Sequence, residues 1–186
     1  MKKVQLIYIT MLATALATFI ACNKPEAILF DDKATVVKAD KTGWTATADS
    51  ETPDGWENTG KASATIDGNI STYWHTDYSV VVPYPHWVLI DMKASKNIIS
   101  LDIANRQTTT ATPNGVGMKR FRVEGSTNGT TFTSLGEFDF AKANGFQSFA
   151  VSSENAYRYL KVTALAPQVA GTNHTFLGEI DVFTTK

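Results

Sequence analysis

Arg120-Phe121-Arg122-Val123-Glu124-Gly125-Ser126-Thr127-Asn128-Gly129-Thr130-Thr131-Phe132 is the stretch that decides the fold class. Phe121 and Val123 alternate with Arg122 and Glu124, the two-residue period of a strand with one dry face and one wet face. Ser126-Thr127-Asn128-Gly129 is a turn, and Asn-Gly is the strongest short hairpin signal because both residues tolerate a positive φ. A strand ending on such a turn predicts a second strand at Phe132.

The same pattern recurs in both directions. Short runs of β-branched and aromatic residues at 44–48, 87–92, 98–104, 120–124, 147–151, 158–164 and 179–183 are separated by Gly, Asn, Asp and Pro. Leu160, Val162 and Ala164 alternate with polar neighbours, and so do Ile99, Leu101 and Ile103. No window of helical length carries an apolar 3.6-residue period, and no internal repeat is present. Many short strands without helices between them predict an all-β sandwich or barrel. Trp44, Trp74 and Trp87 are expected in its core, Trp56 in a loop, and residues 108–114 form a polar loop.

Composition narrows the function. With 43% apolar, 11% aromatic and 19% charged residues among 186, the chain has enough apolar surface to fold, so wholesale disorder is excluded. Seventeen Lys+Arg against eighteen Asp+Glu give a net charge of −1, which argues against a nucleic-acid partner. A single cysteine rules out an internal disulfide framework or a Cys-rich zinc site.

That cysteine closes a leader. Lys2 and Lys3 precede an uncharged stretch from 4 to 21, and Phe19-Ile20-Ala21-Cys22 resembles a bacterial lipobox. An uncleaved membrane anchor and an ordinary secretory signal are the alternatives. The resemblance implies acylation of the Cys22 thiol and cleavage before it, leaving 165 residues with a net charge of −3. Residues 1–21 are then a signal peptide, 22–32 a tether and 33–186 one domain, held by lipid in the bacterial cell envelope, at the outer membrane.

Catalytic motifs are missing. There is no nucleophile elbow and no HExxH, and Gly115 and Gly117 lack the third glycine of a phosphate loop. His75, His86 and His174 share no ligand spacing, so a zinc triad is not indicated. The acids read as surface groups rather than a glycosidase pair. Asp67-Gly68-Asn69 is the informative turn. It gathers the Asp67 carboxylate, the Asn69 amide and the nearby Thr72 hydroxyl, which suits either a plain turn or calcium, a cation that takes six to eight oxygens.

The turn lies in Ala64-Thr65-Ile66-Asp67-Gly68-Asn69-Ile70-Ser71-Thr72-Tyr73-Trp74-His75-Thr76. Then follow Pro85-His86-Trp87-Val88-Leu89-Ile90-Asp91-Met92, Asn105-Arg106-Gln107, the 123–129 segment with Phe132, Tyr157-Arg158-Tyr159-Leu160-Lys161-Val162, and Gly178-Glu179-Ile180. Over residues 44–184 this order resembles the coagulation-factor 5/8 type C, or discoidin-like, domain, and within it carbohydrate-binding module family 32. The resemblance implies a β-sandwich of jelly-roll topology with about eight antiparallel strands.

It also implies two sites. A structural calcium would take the Ala64 and Gly178 carbonyls, the Asp67, Asn69 and Glu179 side chains, and the Thr72 hydroxyl and carbonyl. A sugar site in the loops at one end would use His75, Arg106, Asn114, the acid Glu57 and the late aromatics His174 or Phe176. Glu51 is a rival for the acid, and the loop from Arg106 to Asn114 is longer than in close relatives. The expectation is a non-catalytic, monomeric carbohydrate-binding module on a lipid anchor, binding galactose-type or amino-sugar residues of glycans. A protein-interaction or adhesion module on the same scaffold is the alternative.

Overall fold

Phe121 and Val123 are fully buried on a strand that runs from Met118 to Ser126, while Arg122 stands half-exposed between them. This is the alternation read above, set within a computed structural model that describes residues 35–54, 59–108, 117–151 and 153–185. The leader with Cys22, the tether, Trp56, Glu57 and Asn114 lie outside the described residues.

In chain order the strands are β1 (Val36–Lys38), β2 (Thr45–Ala48), β3 (Trp74–His75), β4 (His86–Lys96), β5 (Ile98–Ala104), β6 (Met118–Ser126), β7 (Thr133–Asp139), β8 (Gln147–Ala150), β9 (Tyr157–Pro167), β10 (Phe176–Leu177) and β11 (Glu179–Thr185). One 3₁₀ turn, Ala62–Ile66, interrupts them. All seven strands expected above are present. The Phe132 strand begins one residue later, at Thr133, because Asn128 and Ser126 hold the loop closed: Thr130 and Thr131 donate to Asn128 Oδ1, and Gly129 donates to Ser126 Oγ. Gly129 sits at φ +76, a left-handed conformation that favours glycine.

Two antiparallel sheets make a jelly-roll β-sandwich. One has the order β2-β4-β9-β6-β7 and the other β1-β11-β5-β8, while β3 and β10 form a short separate ladder. Val88, Ile90, Phe121 and Leu160 from the first sheet meet Leu101, Ile103, Ile180 and Val182 from the second, all fully buried. Phe149 on β8 packs edge-on against Phe121 with ring centroids 4.8 Å apart. Each such side chain contributes about 1.5–3 kcal/mol through burial. The described core residues all lie within the unit Ala34–Lys186.

Two expectations are corrected. Trp87 is partly exposed on the outer face, because His86, Val88, Ile90 and Met92 claim the inward positions of β4 and strict alternation sends Trp87 outward. There its ring lies under the Lys161 ammonium at 5.5 Å. On β5 Leu101 and Ile103 are buried as expected, but Ile98 takes the place expected of Ile99, which is half-buried, because an irregularity between Phe183 and Thr184 of β11 shifts the register and pairs Ile98 with Thr184. Trp44 and Trp74 are buried as expected.

Candidate functional site

The β3–β10 ladder carries a cluster of aromatic rings. It pairs Leu177 with Trp74 and Phe176 with His75. Trp74 and Leu177 face the core at 1% exposure, which turns His75 and Phe176 to the opposite side. Their rings stack with centroids 3.8 Å apart and planes 20° apart. Tyr78, on the loop after β3, stacks on His75 as well, at 5.0 Å, and His174 meets it edge-on at 6.1 Å. Together these rings bury His75 to 7% exposure.

Arg106 completes the cluster from the end of β5. Its guanidinium carbon lies 4.4 Å from the Tyr73 ring centre and 4.7 Å from that of Phe176, and those two rings meet edge-on. No carboxylate pairs with it among the described residues. A guanidinium held against aromatic rings by cation–π attraction still carries five N–H donors, which suit hydroxyl or anionic acceptors. Asp77 adds a negative charge nearby. Its carboxyl is held below the usual range by hydrogen bonds from Ser79, and further by the neighbouring His174 and His75.

Four of the six expected sugar-site residues therefore come together: His75, Arg106, His174 and Phe176. Glu57 and Asn114 lie outside the described residues. Glu51 is engaged elsewhere, accepting from the Ala62 N–H at the start of the 3₁₀ turn, with the Lys61 ammonium 3.4 Å away. Tyr73, Asp77 and Tyr78 were missed. Tyr73 had a signal: it is two residues from His75 across an inward Trp74, so strand alternation puts it on the same side. The three histidines do not converge, since His86 bonds to Asp49 and to the Asn173 carbonyl.

The Asp-Gly-Asn turn lies beside the start of β11. Gly68, at φ +83, donates its N–H to Glu179 Oε2 at 3.1 Å. Asp67 accepts from the Asn69 N–H and from the Thr72 hydroxyl. Asn69 turns its own oxygen to the Ser71 N–H, while Gly178 donates its N–H to the Ala104 carbonyl. Ala64, Asp67 and Thr72 line a shallow groove of about 210 Å³. Glu179 is 1% exposed, and burial pushes its carboxyl up to about 7, with Asp181 and Asp67 adding to the shift and Lys41 opposing it.

Lys41 is the resident cation here, and sequence reading gave no hint of it. Its ammonium contacts Glu179 and Asp181, the latter at 2.8 Å, and donates to the Ile180 carbonyl. Among the described residues no group of three or more His, Cys, Asp or Glu is arranged to hold a metal. The donor set is instead two carboxylates with hydroxyl, amide and carbonyl oxygens. That chemistry fits a hard cation such as calcium and not a transition metal.

The F5/8 type C domain model matches residues 40–177. A sialidase of Micromonospora viridifaciens is 30% identical over 140 residues, which are 73% of this chain and 20% of that protein. The chain thus spans about a fifth of the length of the curated relatives it matches. Among solved structures, the C-terminal domain of a chitobiase from Bacteroides fragilis superposes with a TM-score of 0.68 at 30% identity, covering 81% of this chain and 99% of that one. The module CpGH89CBM32-5 of Clostridium perfringens, solved with GalNAc-β-1,3-galactose, superposes with a TM-score of 0.67 at 25% identity, covering 78% and 99%.

Proposed function

Because the chain belongs to the F5/8 type C domain family, we propose that it is a non-catalytic carbohydrate-binding module taking galactose-type or amino-sugar residues at the ends of glycans. The observation that carries the reading is the Arg106 guanidinium within 4.4 and 4.7 Å of the Tyr73 and Phe176 ring centres, beside the stacked His75. Arg106 would donate to sugar hydroxyls, Asp77 would accept from them, and the Tyr78 face would pack against the C–H side of the ring. A neighbour solved with a GalNAc-galactose disaccharide supports this chemistry. The match to a sialidase falls on a fifth of that enzyme, so its reaction is not carried over.

The same proposal includes a structural calcium and a lipid anchor. Asp67, Thr72 and Glu179 would hold the ion, with the Asn69 side chain and the Ala64 and Gly178 carbonyls completing its oxygen shell. The ion would neutralise two acids and tie the turn to β11. Cys22 would carry the lipid and fix the module to the cell envelope. A single sugar on a shallow site is worth about −4 to −5 kcal/mol, a Kd of roughly 0.1–1 mM. Many copies on one membrane would raise that by avidity toward branched glycans.

A glycan array probed with residues 23–186, followed by calorimetry with galactose, N-acetylgalactosamine and N-acetylglucosamine, tests the reading. Millimolar or tighter binding to one of these sugars is expected. Binding to none of them overturns it and favours the protein-interaction or adhesion module.

A further inference from the structure

His86 is fully buried, yet both of its ring nitrogens meet acceptors. Nδ1 lies 2.8 Å from Asp49 Oδ2, and Nε2 lies 2.8 Å from the carbonyl oxygen of Asn173. Neither a carboxylate nor a carbonyl has a proton to give, so both bonds form only if the ring carries both of its protons. A neutral imidazole would leave one nitrogen lone pair facing an oxygen in a dry site. The arrangement is held from behind, because Asp49 Oδ1 accepts the Trp87 N–H at 2.7 Å.

The carbonyl that His86 holds belongs to the segment presenting the ligand cluster. Asn173 is followed by His174, whose carbonyl accepts from the Tyr84 hydroxyl at 3.2 Å. Thr175 then exchanges bonds with Thr76, donating to its hydroxyl and accepting from its N–H. Phe176 comes next, stacked on His75 and under Arg106. Tyr84 packs edge-on against the His86 ring at 4.9 Å.

We propose that His86 is a positioning residue for the ligand site: as a doubly protonated ring it anchors the 173–176 segment, and with it His174 and Phe176, to β4. The inference deepens the sugar-binding reading and rests on it for its effect on affinity. The ionisable groups packed against the ring are Asp49, from beyond the end of β2, and Tyr84, from the loop before β4; Ala164, its partner on β9, brings none. Burial alone would push the imidazole down. The Asp49 carboxylate and the Asn173 and Val82 carbonyls outweigh it and leave the net shift upward from 6.5. The phenol of Tyr84, pushed up to about 12 by burial, stays neutral throughout. The anchored form therefore persists to higher pH than a free imidazolium would and is lost as pH rises through the raised value.

The test uses ¹⁵N-labelled residues 23–186, a piece that contains the whole described core. NMR spectra are recorded from pH 5.5 to 9 without sugar, for wild type and His86→Gln, whose amide keeps one donor but cannot titrate. The ring of His86 should lose a proton only above pH 6.5, and the 173–176 amide signals should move with the same midpoint. That component should be absent in His86→Gln, while any titration due to His75 and His174 persists. Galactose affinity should fall by about fivefold or more across the same midpoint in wild type, the low end of ordinary site coupling, and that component should be absent in the variant. A ring that is singly protonated throughout, loop signals that ignore it, or a galactose affinity that does not follow it overturns the proposal. If galactose binds at no pH while ring and loop titrate together, the sugar reading falls and the anchor stands. Should His86→Gln fail to fold, the wild-type ring and loop midpoints still decide.

Discussion

Gly68 donates its backbone N–H to a carboxylate oxygen of Glu179 across 111 residues of chain. This bond joins the Asp-Gly-Asn turn to the first residue of β11, which neighbours both β1 and β5 in its sheet. The turn thus touches Glu179, a buried acid whose positive neighbour among the described residues is Lys41.

Calcium should raise the melting temperature, and a chelator should lower it, because a ligand bound only to the folded state stabilises it by RT ln(1 + [L]/Kd). At a hundredfold excess over Kd the gain is about 2.7 kcal/mol, a shift of roughly 5–10 °C for a domain of this size. Asp67→Ala should melt at one temperature with and without calcium. Differential scanning calorimetry of both proteins decides it, and a wild-type melt indifferent to calcium removes the ion from the site.

Lys41 and Lys38 make an internal control for charge burial. Both contact Asp181, but the Lys41 side chain is 11% exposed and also faces Glu179, whereas that of Lys38 is 53% exposed. Lys41→Met strands buried carboxylates and should cost about 3–5 kcal/mol. Lys38→Met breaks a solvated pair and should cost under about 1 kcal/mol. Urea unfolding of the two variants compares them, and equal losses would show that Glu179 does not depend on Lys41.

Acid should weaken the outer face of the five-stranded sheet. Arg158 grips Asp91 through two bonds of 2.8 and 2.9 Å, and Lys93 adds another, which holds the Asp91 carboxyl well below its ordinary 3.8. A carboxyl depressed on folding contributes its full stability above its unfolded value and loses it progressively as pH falls from there through the folded value. Arg158 is partly exposed, so the effect is about 1 kcal/mol. Asp91→Asn should fall behind wild type above pH 4, and the gap should close progressively as pH falls from about 4 toward the depressed folded value. Parallel stability curves across that range would contradict the pairing.

Sandwich and sheet faces were legible wherever alternation ran for several residues, as at Phe121 and Val123 or at Leu160, Val162 and Ala164. Trp87 was misread because its size suggested burial, while its position between His86 and Val88 dictated the outer face. The β3–β10 ladder has two residues a side, too few for a periodic signal. Only the family resemblance brought Phe176 to His75. Lys41 was invisible for another reason: its partner Glu179 is 138 residues away, and nothing local distinguishes a lysine that will be buried from one that will not.

The anchor is open to a direct test. Cys22→Ser has no thiol to acylate and should leave an unprocessed precursor carrying no label from a palmitate analogue. Label that persists in the variant removes the lipobox reading.

Binding and folding separate at Arg106 better than at His75. His75 is 7% exposed and stacked on Phe176 and Tyr78, so His75→Ala should lower stability by about 1–3 kcal/mol as well as abolish sugar binding. Arg106 is half-exposed and only rests on Tyr73 and Phe176, so Arg106→Ala should move stability by under about 1 kcal/mol. Arg106→Lys keeps the charge but loses the flat fork of donors, and it should bind nearly as poorly as the alanine variant. Calorimetric titration of galactose and N-acetylgalactosamine, paired with thermal melts, gives both readouts on the same samples. If Arg106→Lys binds like wild type, charge alone suffices and the stacked geometry is irrelevant. If Arg106→Ala binds like wild type, the sugar sits elsewhere on the molecule.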